Sequence, residues 1–177
     1  MNKRILFTGG PGTGKTTVIN QLINQGYFCF KESSREIIKG FKKKGIDQLF
    51  LSNPIKFSEL LLESRINQFK EAKDINDKCI FYDRGIPDIL AYLNYKEVSF
   101  GKEFDLASKK FKYDYIFIAE PWKEIYKNDE ERYESYEELK IINKYLKKTY
   151  SELGYEFLVL PEESVEARVN FIIETIK

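Results

Sequence analysis

A chain of 177 residues, 42% hydrophobic and 32% charged, can bury a core without disulfides or metals, and its net charge of +1 gives no global attraction for nucleic acid or a membrane surface. It has no histidine and only two cysteines, Cys29 and Cys79, each inside an apolar run. Imidazole-built zinc sites and a disulfide framework are therefore excluded, any general base must be a carboxylate, and both thiols are expected to be reduced and buried.

The opening MNKRILFTGG carries no secretory core, and no stretch approaches the ~18 uninterrupted apolar residues of a membrane helix, so a cytoplasmic location is expected. Residues Arg4–Thr8 read as a buried strand, followed by a helix from about Gly14 to Asn24 with Val18, Leu22 and Ile23 on one face. Tyr27–Phe30 is a second short strand, and Ser33 or Ser34 is placed to cap the helix that runs on through Ile38. The segment KGFKKKGIDQLFLSNP is less regular and ends at Pro54, which can start a helix reaching about Asp74 and carrying Phe57, Leu60, Leu61, Ser64 and Phe69. Cys79–Tyr82, Tyr115–Ile118 and Phe157–Leu160 complete five strands, and Val165, Val169, Ile172 and Ile173 mark one face of a C-terminal helix. Strands that are apolar throughout and separated by helices imply a parallel sheet covered on both sides, so residues 1–177 are expected to form a single α/β domain.

Between the first strand and first helix stands FTGGPGTGKTT, in which Gly9, Gly14, Lys15 and Thr16 satisfy G-x-x-x-x-G-K-[ST]. Glycines at 9, 10, 12 and 14 allow successive N–H groups to turn toward phosphate oxygens, and the helix N-terminus adds its positive dipole. The expected nucleotide cradle is Gly9, Gly10, Pro11, Gly12, Thr13, Gly14, Lys15, Thr16 and Thr17, with Lys15 on the β and γ phosphates and the Thr16 hydroxyl on Mg²⁺. The fold expected is thus that of a P-loop NTPase, with ATP, or GTP, as cofactor. The dinucleotide fingerprint G-x-G-x-x-G does not fit, because Gly10, Gly12 and Gly14 are spaced by two.

The third strand ends in FYDRGIPD, which delivers Asp83 to the carboxyl edge of the sheet, where ligands of open parallel sheets bind. There Asp83 can hold Mg²⁺ directly or through water, and Arg84 can meet a phosphate. KESSREIIKG places Glu32 at the end of the second strand, with Arg35 and Glu36 on the next turn; Glu32 or Glu36 is a candidate base for an acceptor hydroxyl attacking the γ phosphate. In NDEERYESYEEL, Arg132 is the only base among many acids, and the segment lies where a phosphoryl-covering lid, spanning about residues 120–138, would be.

Together FTGGPGTGKTT, KESSRE, FYDRGIPDILAY, IAEPWKEIYKNDEERYESYEE and LGYEFLVLPEESVEARVNFI resemble the compact P-loop family labelled predicted AAA-type ATPases. That family includes a bacterial kinase domain acting on nicotinamide riboside and an animal protein that binds GTP and phosphoinositides. The resemblance implies a core similar to nucleoside and nucleotide kinases, with the third strand beside the first and a helical lid. It also implies roles for Lys15 and Thr16 at phosphates and Mg²⁺, Asp83 at Mg²⁺ or substrate, Arg132 in the lid, and Val165, after PEESVE, at the nucleotide base. Val165 equally fits the core-facing spacing of its helix. FYDRG lacks the Asp-Glu pair of true AAA motors, where Glu activates water, which favours transfer to a hydroxyl.

The expected function is a Mg²⁺-dependent ATP-binding kinase of a small nucleoside-like or nucleotide acceptor, with a nucleotide-dependent switch of slow hydrolysis as the alternative. No N-K-x-D guanine motif is present. The cluster Lys39, Lys42, Lys43 and Lys44 reads as a solvated loop, so membrane binding is not expected.

Overall fold

Five strands form one parallel sheet in the computed structural model, which describes residues 2–43, 45, 49–126 and 134–177. Their spatial order is β2 (Phe28–Phe30), β3 (Cys79–Asp83), β1 (Lys3–Gly9), β4 (Tyr115–Ala119), β5 (Leu158–Val159). The third strand does lie beside the first: Phe7 pairs with Asp83 on one side and Phe117 on the other. Eight helices accompany the strands among the described residues: α1 (Lys15–Asn24), α2 (Ser34–Lys42), α3 (Leu49–Ser52), α4 (Pro54–Glu71), α5 (Ile86–Tyr95), α6 (Lys102–Lys110), α7 (Tyr136–Glu152) and α8 (Val165–Ile176).

The period-two alternation of strands sorts their side chains into two cores. Leu6, Ile80, Tyr82, Ile116 and Ile118 face one layer with Phe69, Ala91, Ile142 and Tyr150. Ile5, Phe7, Phe81 and Phe117 face the other with Val18, Leu22, Val169 and Ile172. Burial on both faces explains why these strands read as continuous apolar runs. A third cluster joins α4, α5 and α6 through Leu61, Ile89, Leu93 and Phe104.

Local chemistry sets the helix starts. Asn53 Oδ1 accepts the Lys56 N–H at 3.0 Å ahead of Pro54, and Ser164 Oγ accepts the Ala167 N–H at 3.2 Å. Ser135 and Glu138 form a reciprocal capping box at 3.3 and 2.7 Å, fixing where α7 begins.

Two sequence expectations need correction, and the burial of α4 adds a detail. Ser33 holds the cap position of α2 but makes no side-chain cap bond; the Glu32 carboxylate accepts the Ser34 N–H instead, at 3.2 Å. The helix that follows runs to Lys42 rather than ending near Ile38, so the lysines at 39 and 42 belong to its last turn, where they favour the negative dipole end. In α4 the buried stripe is Ser58, Leu61, Leu62, Arg65 and Phe69; Leu60 and Ser64 instead line a surface cleft of about 350 Å³ with Ile37.

Candidate functional site

The loop after β1 is built on two glycines that no other residue can replace. Gly9 has φ 141°, and a Cβ there would lie 2.3 Å from the Ala119 carbonyl oxygen, because β1 and β4 approach so closely. Gly14 has φ 79°, and a Cβ would lie 2.8 Å from Arg168 Nη1 and 3.1 Å from Ile125 Cδ1. Inside the loop, Lys15 Nζ donates to the Gly10 carbonyl at 2.6 Å and to Thr13 Oγ1 at 3.2 Å, while Thr13 Oγ1 donates to the same carbonyl at 2.9 Å. Lys15 and Thr13 are buried, whereas Thr16 and Thr17 are exposed at the start of α1. Burial, followed by the charge of Arg84, pulls the Lys15 ammonium down to about 7, although Asp83, Glu32 and Asp88 act in the opposite direction.

The carboxyl ends of β2 and β3 bring a second group together. Glu32, just past β2, pairs with Arg84 Nε and lies 3.3 Å from Arg65 Nη2. Arg65 reaches up from α4 and donates Nη1 to the Gly85 carbonyl at 2.5 Å. Asp88 in α5, 1% exposed, accepts the Gly85 N–H at 2.9 Å, Thr8 Oγ1 at 2.5 Å and Tyr150 Oη at 2.5 Å. The two peptides that follow Arg84 are thus each held, the first at the Gly85 N–H and the second at the Gly85 carbonyl. These bonds hold Arg84 at φ 70°, a left-handed conformation that a non-glycine residue rarely adopts. Arg84 Nη1 stands 3.6 Å from Asp88 Oδ1, ion-pair distance but beyond hydrogen-bond reach.

Electrostatics separates the two carboxylates. Burial pushes the Glu32 carboxyl up, but Arg65 and Arg84 outweigh it and hold it below the ordinary value, so Glu32 is ionised. Burial pushes Asp83 up as well, and there the carboxylates of Glu32 and Asp88 add to the effect against Lys15 and Arg84. Asp83 Oδ1 is buried without a hydrogen-bond partner. Such an oxygen suits a hard cation, which takes oxygen ligands from carboxylate, hydroxyl, phosphate and water. Among the described residues no group of three or more acidic or sulfur ligands could hold a metal by itself. Asp83 Oδ1 and the exposed Thr16 hydroxyl are oxygen donors of the kind Mg²⁺ takes when it arrives with a triphosphate.

Arg35 and Glu36 are exposed on the first turn of α2, while Glu32 lies in the ion cluster. Val165 is half-buried and packs against the core that contains Val169. Arg132 lies outside the described residues, as do Lys127–Tyr133 around it and Lys44 of the lysine cluster. The segment's two described ends are tied together: Tyr136 Oη donates to the Pro121 carbonyl at 3.2 Å, and Tyr126 Oη to that of Glu134 at 2.9 Å. Both cysteines are free and half-buried, and burial pushes the Cys29 thiol up to about 12. No helix among the described residues is long and apolar enough to cross a membrane.

Arg65, Asp88 and Arg168 escaped sequence reasoning. Each is a charge set on an apolar helix face: Arg65 between Leu61 and Phe69, Asp88 within IPDILAYL, and Arg168 beside Val165, Val169 and Ile172. That misplacement is the signal that could have found them, since buried charges are rarely left without a partner.

The sequence model of a family described as an AAA domain matches residues 4–168. No curated protein matches the sequence. Among solved structures, deoxyadenosine kinase from M. mycoides, with the products dCMP and dCDP bound, superposes at TM-score 0.73 with 20% identity, covering 98% of both chains. Thymidylate kinase from Ehrlichia chaffeensis gives 0.65 and 16%, covering 99% of each. The NadR protein in complex with NR gives 0.69 and 18% over 99% of this chain, which spans 50% of that protein. The fold is therefore the P-loop fold of nucleoside and nucleotide kinases.

Proposed function

This chain belongs to the AAA-domain family, and we propose that within it the protein is a Mg²⁺-dependent, ATP-binding kinase that phosphorylates a small nucleoside-like or nucleotide acceptor. The observation that carries this reading is the meeting of Lys15, Asp83, Glu32 and Arg84 at adjoining strand ends, close enough that each shifts the charge equilibria of another. Deoxyadenosine kinase and thymidylate kinase share this fold, as does the NadR protein in complex with NR, which supports the reading.

Backbone N–H groups of Gly9–Thr17 and the Lys15 ammonium bind the phosphate chain. The Thr16 hydroxyl and the Asp83 carboxylate would hold Mg²⁺, which would supply positive charge against the charge developing in phosphoryl transfer. Glu32, kept ionised by its two arginines, accepts the hydrogen bond of the acceptor hydroxyl and orients it in line with the γ phosphorus. Strong basicity is not required of it, because the loose transition state of phosphoryl transfer needs positioning and charge stabilisation more than proton removal. Arg84, preset by the Asp88 and Arg65 contacts around Gly85, offers its buried, unbonded Nη1 to the transferring group. Arg132 would close over the site with the lid.

The test is nucleoside-diphosphate release from MgATP and MgGTP, alone and with a panel of nucleosides, including nicotinamide riboside, and nucleoside monophosphates. One acceptor should raise the rate by orders of magnitude. A slow rate unchanged by every acceptor, with tight nucleotide binding retained, would replace the kinase with a nucleotide-dependent switch. Asp83→Asn should keep MgADP affinity within a few-fold and lower turnover by about 100-fold, the scale of removing one charge-stabilising group. Full turnover in that variant would remove Asp83 from the mechanism.

A further inference from the structure

Arg168 projects from α8 onto the phosphate loop and is only 4% exposed. Its Nη1 and Nη2 each donate to the Thr13 carbonyl at 3.3 Å. Its Nε is buried without a partner, and no carboxylate among the described residues forms an ion pair with it. A buried cation that shares one neutral oxygen and makes no ion pair among the described residues is a costly arrangement, favoured where something else compensates the charge. Burial indeed holds the guanidinium below its ordinary value, with Glu162 the opposing influence.

We propose that Arg168 is a positioning residue for the phosphate loop: from α8 it clamps the Thr13 carbonyl, fixes the Thr13–Gly14 peptide, and holds a positive charge that an incoming phosphate chain compensates. The peptide is planar and trans, so an oxygen drawn toward α8 turns the Gly14 N–H the other way. Without such a hold, Gly14 at φ 79° lets this peptide rotate more readily, since glycine crosses between the two halves of φ space at little cost. Glycine at 14 is also what lets the guanidinium come so near, because Nη1 lies 2.8 Å from where a Cβ would stand. Lys15 grips the Gly10 carbonyl while Arg168 grips that of Thr13, so two cations preset one loop through its carbonyls. Only arginine presents two parallel donors on a planar fork; lysine supplies the charge with a single, mobile centre.

The inference rests on the proposed role of the loop in holding a nucleotide. Isothermal titration with MgADP, on the unmodified protein, Arg168→Met and Arg168→Lys, tests it beside the melting temperature of each without ligand. Arg168→Met should bind MgADP about 10- to 100-fold more weakly, the range for losing a hydrogen-bonded charge. Arg168→Lys should recover part of that loss, and the ligand-free melting temperature of Arg168→Met should be unchanged or raised. A merely structural arginine gives the opposite pattern: a lower melting temperature with MgADP affinity within about twofold of the unmodified protein, and that result overturns the clamp. If Arg168→Met does not fold, hydrogen exchange on the unmodified protein decides. MgADP should then protect the first-turn amides of α8 together with the loop, and protection confined to the loop overturns the proposal. Failure of the unmodified protein to bind MgADP would sink the nucleotide reading as well; normal binding with an indifferent variant sinks the clamp alone.

Discussion

The phosphate loop and the strand-end cluster beside it manage buried charge in opposite ways. In the cluster, Arg65 and Arg84 meet Glu32, and Asp88 accepts three hydrogen bonds and lies at ion-pair distance from Arg84, so most of the buried charge is matched by protein. In the loop, Lys15 and Arg168 hold only neutral oxygens of Gly10 and Thr13. Pairing within the protein makes a rigid shape with a smaller net field, suited to orienting a neutral hydroxyl, and it leaves Arg84 Nη1 as the donor still unbonded. Incomplete pairing leaves positive charge to be satisfied from outside, suited to a polyanion. The difference teaches that side chains of one sign serve different ends according to whether the protein or the ligand closes their circuit.

Breaking the loop should therefore damage binding and leave folding alone. Lys15→Met is expected to lower MgATP affinity by about 10³-fold, at the upper end for one preorganised cation in a water-poor phosphoryl site. Because it also removes a buried cation that makes no ion pair among the described residues, thermal melting of the ligand-free protein should stay level or rise. A marked fall in melting temperature would show that Lys15 supports the fold instead.

Breaking the cluster should do the reverse. Arg65→Met strands Glu32 on one arginine and frees the Gly85 carbonyl inside the protein. Loss of one partner from a buried pair costs about 3 kcal/mol, which for a chain of this size lowers the melting temperature by roughly 6–12 °C. MgADP affinity should stay within about threefold, since Arg65 touches nothing in the loop. Acceptor-stimulated turnover should drop with it, because Glu32 and Arg84 lose their shared brace. An Arg65→Met protein that melts normally would mean that the cluster relaxes and repacks, and the contrast between the two regions would weaken.

Which of these regions could be read in the sequence follows from how each is encoded. Gly9–Thr16 is contiguous, and its spacing follows directly from a backbone that must curl around phosphate, so it was legible. Asp83 and Glu32 were legible as the first carboxylates past apolar strands, and the parallel sheet as alternating runs and helices. Arg65, Asp88 and Arg168 are assembled by tertiary packing across 20 to 155 residues of sequence, as in Arg65 to Gly85 and Arg168 to Thr13. No local pattern announces such a pairing; only a charge out of place on an apolar face hints at it. The buried face of α4 is not encoded locally either: Leu60 and Leu61 are equally apolar, and only the neighbouring helices decide that Leu61 turns inward. β5 shrank to Leu158–Val159 because an edge strand is held by one neighbour alone.

The smallest effect concerns protons, and it sharpens the comparison at a single atom. Burial and Arg84 place Lys15 at about 7, against an ordinary 10.5. Between those values the unfolded chain binds a proton that the folded, ligand-free chain does not, so this group makes stability rise with pH from about 7 toward 10.5. A phosphate chain beside Nζ restores the charged form. Nucleotide binding should then take up a proton across the same window, and affinity should fall as pH rises, by at most about tenfold per unit. Titration of MgADP at pH ~8.5 in two buffers of different ionisation enthalpy measures that uptake. It should approach one proton in the unmodified protein and vanish in Lys15→Met. Zero uptake in the unmodified protein would mean that Lys15 is already charged before any ligand arrives, held by Asp83, Glu32 and Asp88. The loop's lysine would then belong, electrostatically, to the paired cluster, and Arg168 alone would carry the charge that waits for phosphate.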